Sequence, residues 1–138
     1  MTRFRTMLLA AGLSTLLASA GLQAQTNQLN ADIPFDFHAA GKTLPAGTYV
    51  LNKMNQSGIF EIRNVEGTGT VLVNAPIGAH YMPKKSELTF VHSGDDYVLS
   101  EISVAGATQT NALTPGAVEK NLTRRLGIAS MIAVPLHR

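Results

Sequence analysis

The 138-residue chain contains no cysteine. That absence excludes disulfides, thiol nucleophiles and thiolate metal sites, and leaves nothing for a lipoprotein-type acyl anchor. Long apolar runs are missing too. The two candidates, Met7 to Ala20 and Ile128 to Leu136, both fall short of the roughly 20 residues that a bilayer-spanning helix needs. No internal repeat, low-complexity tract or G-x-S-x-G nucleophile elbow is present. Any stable fold must therefore rest on its own apolar core.

Net charge disappears once the N-terminus is read. Arg3 and Arg5 precede an apolar run rich in Leu and Ala, and Leu22-Gln23-Ala24 offers a small residue for cleavage, with Ala18-Ser19-Ala20 as the alternative. This is the three-part pattern of a secretory signal peptide. Removing residues 1–24 takes away two of the eleven Lys/Arg and none of the nine Asp/Glu, so a formal charge of +2 becomes zero. The high pI belongs to the discarded segment, and a nucleic-acid partner is not expected. Residues 25–138 form a single domain of 114 residues, a size that buries roughly 65% of its unfolded surface without staples. The expected location is periplasmic or extracellular, with no membrane insertion of the mature chain.

What is present is strand pattern. Ile33, Phe35 and Phe37 alternate with Asp32, Pro34, Asp36 and His38, the period of a half-buried strand. Pro34 cannot donate a backbone hydrogen bond, so the strand at Asp32–His38 is expected to be an edge strand or to begin there. Ala39 to Lys42 and Leu44 to Gly47 read as turns. Further strands are expected at 48–52, 59–64, 70–74, 87–92 and 97–104, each bounded by Gly or Asn/Asp. Thr114 as cap, Pro115 at the first position and Gly127 at the end mark a short helix, with Val118, Leu122 and Leu126 on one side. Arg124 and Arg125 suit its last turn. Ile128 to Leu136 reads as a buried closing strand. The expected fold is all-β, an antiparallel sandwich or partly open barrel of seven or eight strands with one short helix near the C-terminus.

Candidate chemistry is sparse. Asp32, Asp36 and His38 share the polar side of the first strand, a carboxylate–imidazole set that a metal can use. His80, His92 and His137 bring no ligand spacing to it, so a solvated face is the preferred reading. Ser93 and Ser100 lie near His92, Asp95 and Glu101, but adjacency along a hairpin is not triad geometry. Gly67-Thr68-Gly69 lacks the lysine and following helix of a phosphate loop. Lys84-Lys85 and Lys120/Arg124/Arg125 read as solvated surface. No catalytic, cofactor-binding or metal residue is assigned, no cofactor is expected, and the protein is not expected to be an enzyme.

The run Ala31-Asp32-Ile33-Pro34-Phe35-Asp36-Phe37, followed by Gly41-Lys42-Thr43-Leu44-Pro45-Ala46-Gly47-Thr48-Tyr49, resembles a group of small exported bacterial all-β proteins. Their common pattern is a Pro-Phe strand and then G-K-x-L-P-A-G-x-Y. Leu88-Thr89-Phe90, Gly94-Asp95-Asp96-Tyr97 and Leu99-Ser100-Glu101-Ile102 resemble that group's central hairpin. The resemblance implies an exported β domain and carries no activity. Two roles are therefore expected: a non-enzymatic structural or interaction domain with a protein partner, or a small barrel carrying an apolar ligand. For the second, Ile33, Phe35, Phe37, Tyr49, Leu51, Leu88, Phe90, Tyr97 and Leu99 are the residues expected to point inward, lining a pocket or packing as a core.

Overall fold

The computed structural model describes residues 28–77, 82–114, 117–125 and 130–138. The N-terminal pattern with both cleavage positions, and His80, Pro115, Leu126 and Gly127, lie outside the described residues. The elements are β1 (Leu29–Ile33), β2 (Phe37–Ala39), β3 (Lys42–Leu44), β4 (Gly47–Lys53), β5 (Ile59–Asn64), β6 (Thr70–Asn74), β7 (Glu87–Ser93), β8 (Asp96–Ser103), β9 (Asn111–Ala112), α1 (Ala117–Arg125) and β10 (Ser130–His137). Among the described residues no helix is long and apolar enough to cross a membrane.

All ten described strands belong to one sheet, in the order β3-β2-β8-β7-β10-β1-β4-β5-β6, with β9 attached to β8. The sheet curls until its ends nearly meet, forming a barrel. The seam is β9. On one side Ala112 and Asn111 pair with Glu101 and Ile102 of β8. On the other, Thr114 N–H donates to Asn74 (3.0 Å), Ala112 N–H donates to Pro76 (3.1 Å), and Ile77 bridges to Asn111. Below that seam β2 runs parallel to β8 with its register at His38↔Val98, and Leu44 of β3 reaches towards Gly69.

Register explains the core. Leu29, Ala31 and Ile33 of β1 face Leu51, Tyr49 and Gly47 of β4; Tyr49 and Leu51 in turn face Asn64 and Ile62 of β5. Every second side chain is buried along β1, β5 and β6, and on β4 three consecutive residues, Tyr49, Val50 and Leu51, are buried. On β8 the alternation slips by one residue. Thr89 pairs with Glu101 but Phe90 pairs with Leu99, leaving Ser100 as a bulge. Its hydroxyl donates to the Thr89 carbonyl (3.0 Å), and the slip places both Leu99 and Ile102 inward. The β2–β3 link is a two-residue turn with Ala40 at φ 48° and Gly41 at φ 75°, the positive-φ pair that a tight hairpin of this hand requires.

Two strand expectations are corrected. The period-two run from Asp32 to His38 is not one edge strand. β1 ends at Ile33, residues 34–36 cross the end of the barrel, and β2 begins at Phe37. β1 lies between β10 and β4, so it is an interior strand. Pro34 marks where the ladder stops, and the odd-numbered residues keep facing the core through the crossing. The second correction concerns Ile128–Leu136, which is not buried throughout. Val134 and Leu136 of β10 are buried, whereas Met131 is 76% and Ile132 36% exposed. β1 pairs with β10 only at Asn30↔His137 and Ala31↔Leu136; the next position on β10 is Pro135, which has no N–H to give. The rest of β10 keeps β7 as its neighbour and has a bare outer edge among the described residues. Two short strands, β3 and β9, raise the count above seven or eight.

The helix forms where expected. Arg124 and Arg125 occupy its last turn, but its deepest described side chain is Glu119, only 2% exposed. Gly41 N–H donates to Glu119 Oε1 at 2.5 Å. The helix thus connects the β9 seam to the β2–β3 turn.

Candidate functional site

The barrel disperses the residues that the sequence groups together. Asp32 Oδ1 accepts from the Thr48 hydroxyl across β1–β4 at 2.8 Å. Asp36 Oδ1 accepts from the Ala46 backbone N–H at 2.8 Å and pins the turn before β4. His38 is on a different strand; its Nδ1 lies 3.0 Å from Thr43 Oγ1 and its Nε2 3.9 Å from Asp96. Each group holds a local turn or strand pair, and no three His, Asp or Glu side chains converge among the described residues. The serine hairpin resolves similarly. Ser100 occupies the bulge, and the ring of His92 stacks on that of Tyr97 with centroids 4.9 Å apart.

One end of the barrel is solid. Phe37, Tyr49 and Phe90 are fully buried. Phe37 meets both Tyr49 (5.2 Å) and Phe90 (5.4 Å) edge-on. Phe35, carried by the crossing segment, meets Phe90 edge-on at 5.0 Å and stacks on Tyr97 at 3.8 Å. The inward set named from sequence is therefore a packed core, with Phe35 and Tyr97 half-buried at its rim. Tyr49 donates its hydroxyl to the Pro45 carbonyl at 2.5 Å. Burial pushes its phenol above the ordinary tyrosine range; a hydrogen bond with Asn64 opposes that rise, and the nearby Asp36 carboxylate adds to it.

The opposite end is open. A cavity of about 830 Å³ lies where the β4–β5 turn, the β8–β9 loop and the start of β1 meet. Its apolar walls come from Leu29, Leu51, Phe60, Ile77 and Val104, and neutral amides such as Gln28, Asn52 and Gln56 surround them. Leu51 is the sole residue of the expected inward set that reaches it. Two cations, Lys53 and Arg138, also line it. Lys53 continues the inward-facing series Tyr49-Leu51-Lys53 of β4, and Arg138 stands just past the end of β10, two residues after the buried Leu136. Lys53 Nζ stands 5.8 Å from the centre of the Phe60 ring. Glu61 is the acid of this lining; its Oε2 accepts from Asn52 Nδ2 at 3.2 Å.

A second feature is the bare flank of β10. Ser130, Met131, Ile132 and Ala133 are consecutive exposed residues in regular strand conformation, and none is charged. Ile132 pairs with Phe90 of β7, so its side chain lies at the margin of the core where β1 has turned away. Neither feature is visible in the sequence. The mouth assembles from strand ends far apart in the chain, and the edge exists because a proline ends the β1–β10 ladder.

Comparison with protein-family models, with curated proteins and with solved structures finds no match for this chain.

Proposed function

We propose that the chain is an exported, non-enzymatic interaction domain that receives an extended segment of a partner polypeptide along the outer edge of β10. The observation that carries this reading is the bare run Ser130–Ala133, with Met131 and Ile132 exposed. A strand edge presents unpaired N–H and C=O groups, and folded proteins ordinarily guard such edges with Lys, Pro or a covering element. This one is uncharged as far as Val134. An added strand gains main-chain hydrogen bonds, while Ile132 and the adjoining core margin select an apolar side chain. The groups able to do chemistry support the same reading, since Asp32, Asp36 and Ser100 are engaged in turns and ladders.

Selection from a random peptide library on the immobilised protein tests it. Binders should be uncharged with alternating apolar residues, and Ile132→Lys should abolish their binding. Selection of nothing, or of binders indifferent to Ile132→Lys, sinks the reading. A concentration-dependent dimer abolished by the same substitution would make the occupant a second copy instead. Export itself rests on the N-terminal pattern, and mass spectrometry of the secreted or periplasmic protein should find a chain beginning at Gln25.

The open mouth favours a second reading, carriage of a small apolar ligand. About 830 Å³ falls within the roughly 300–1,000 Å³ of small-molecule sites.

A further inference from the structure

We infer that the mouth of the barrel selects an anion with an apolar body, such as a free monocarboxylate, with Lys53 as the residue that reads the charge. The inference rests on the carriage reading and goes beyond it by naming the head group.

The argument begins with register. Here the inward series of β4 runs Tyr49, Leu51 and then Lys53, and Lys53 pairs with the buried Phe60 of β5. The ammonium therefore overhangs an aromatic floor, 5.8 Å from the ring centre. Arg138, just past the end of β10, lines the same cavity. Leu29 and Leu51 lie side by side beneath the two.

The acid of the lining is placed differently. Glu61 occupies an outward position, between the buried Phe60 and Ile62, and its carboxylate is engaged by Asn52. The Lys53 ammonium thus stands over the Phe60 ring while the Glu61 carboxylate stands to one side. A ligand with an apolar tail and a negative head satisfies both parts at once. The tail lies against Met54 and Ile77, the exposed apolar side chains of the lining, above the buried Leu51 and Phe60, and the head meets Lys53 at the rim in a charge-assisted hydrogen bond. A neutral ligand of the same length leaves the ammonium to water and the Phe60 ring and gains nothing from its charge, and a cationic one is repelled.

Lys53 also has a plain structural use, since its alkyl stem can cover Phe60. The test therefore reads head-group preference, which a covering role does not set. Decanoate, 1-decanol and decyltrimethylammonium, each below its aggregation threshold, are titrated calorimetrically into the purified chain at low salt. Decanoate should bind up to about fivefold more tightly than the alcohol, the margin that an ion pair at an exposed ammonium supplies. Raising the salt should shrink that margin. Lys53→Met should bring the two within about twofold, Arg138→Gln should narrow the gap less, and Glu61→Gln should leave it equal or wider. The alcohol or the ammonium binding as tightly as decanoate overturns the inference while leaving carriage in place. An undiminished preference in Lys53→Met also overturns it. If none of the three binds, the carriage reading falls together with it.

Discussion

The two ends of this barrel are made from the same strands and finished in opposite ways. At one end the chain passes across the opening, from Ile33 through Phe35 to Phe37, and five aromatic rings pack into a plug. At the other no segment crosses among the described residues, and the inward series of β4 ends in Lys53, with Arg138 lining the same cavity. β1 and β4 contribute to both ends, so those two strands do not distinguish them. The difference lies in how each inward series terminates, in a crossing segment or in a charge. The largest fully buried side chains, Tyr49, Phe37 and Phe90, lie at the closed end, and the open end keeps exposed side chains around its cavity.

That contrast can be broken by substitution. Phe37→Ala should cost about 3–5 kcal/mol in urea melts, as a fully buried ring does, and Phe35→Ala roughly half as much, because Phe35 is only half-buried. Equal losses would mean that the crossing segment is as rigid as the strands it joins. Gly58→Ala probes the seam behind the open end. Gly58 has φ +91°, and an added Cβ would fall 2.1 Å from the Ala75 carbonyl oxygen. A loss of about 2–3 kcal/mol is expected from strain and clash; a neutral result would show that the β5–β6 end shifts freely.

Tyr49→Phe sharpens the comparison through pH. At neutral pH it removes the bond to Pro45 and should cost about 1 kcal/mol. The folded-state phenol is raised above its unfolded value near 10, so the folded protein holds that proton more tightly. Its contribution is fully present below pH about 10 and is lost as pH rises towards the folded value. Thermal melts should therefore show a decline above pH about 10 that is weaker in Tyr49→Phe. The smallest effect is expected at the mouth, where Lys53→Met should shift stability by no more than about 0.5 kcal/mol. A larger loss would make Lys53 a structural cover for Phe60.

Much of the fold is legible in the sequence because local signals agree. Asn55 to Gly58 and Glu66 to Gly69 mark turns on both sides of β5, so the limits of β5 and β6 follow directly. The first strand misleads because period two continues through Pro34 although the hydrogen-bond ladder does not; alternation reports which face is buried, not which strand is its neighbour. β9 leaves no mark, since two residues carry no periodicity. Glu119 escapes notice because a carboxylate on a short helix reads as solvent-facing, and its burial depends on the Gly41 N–H brought to it by a distant turn. The mouth cannot be read for the same reason. Lys53, Phe60 and Arg138 become neighbours only when the barrel forms.

The pairing of β1 with β10 carries a consequence in time. Asn30 meets His137 and Ala31 meets Leu136, so the first strand to leave the ribosome receives one of its two neighbours from the last. At synthesis rates of about 5–20 residues per second, that neighbour arrives roughly 5–20 s later. Until then the wall lacks the stave between β1 and β7, and the aromatic plug has no closed ring to fill. Contacts so distant along the chain also slow folding itself. A polypeptide wired in this way cannot complete its barrel while it is still being made.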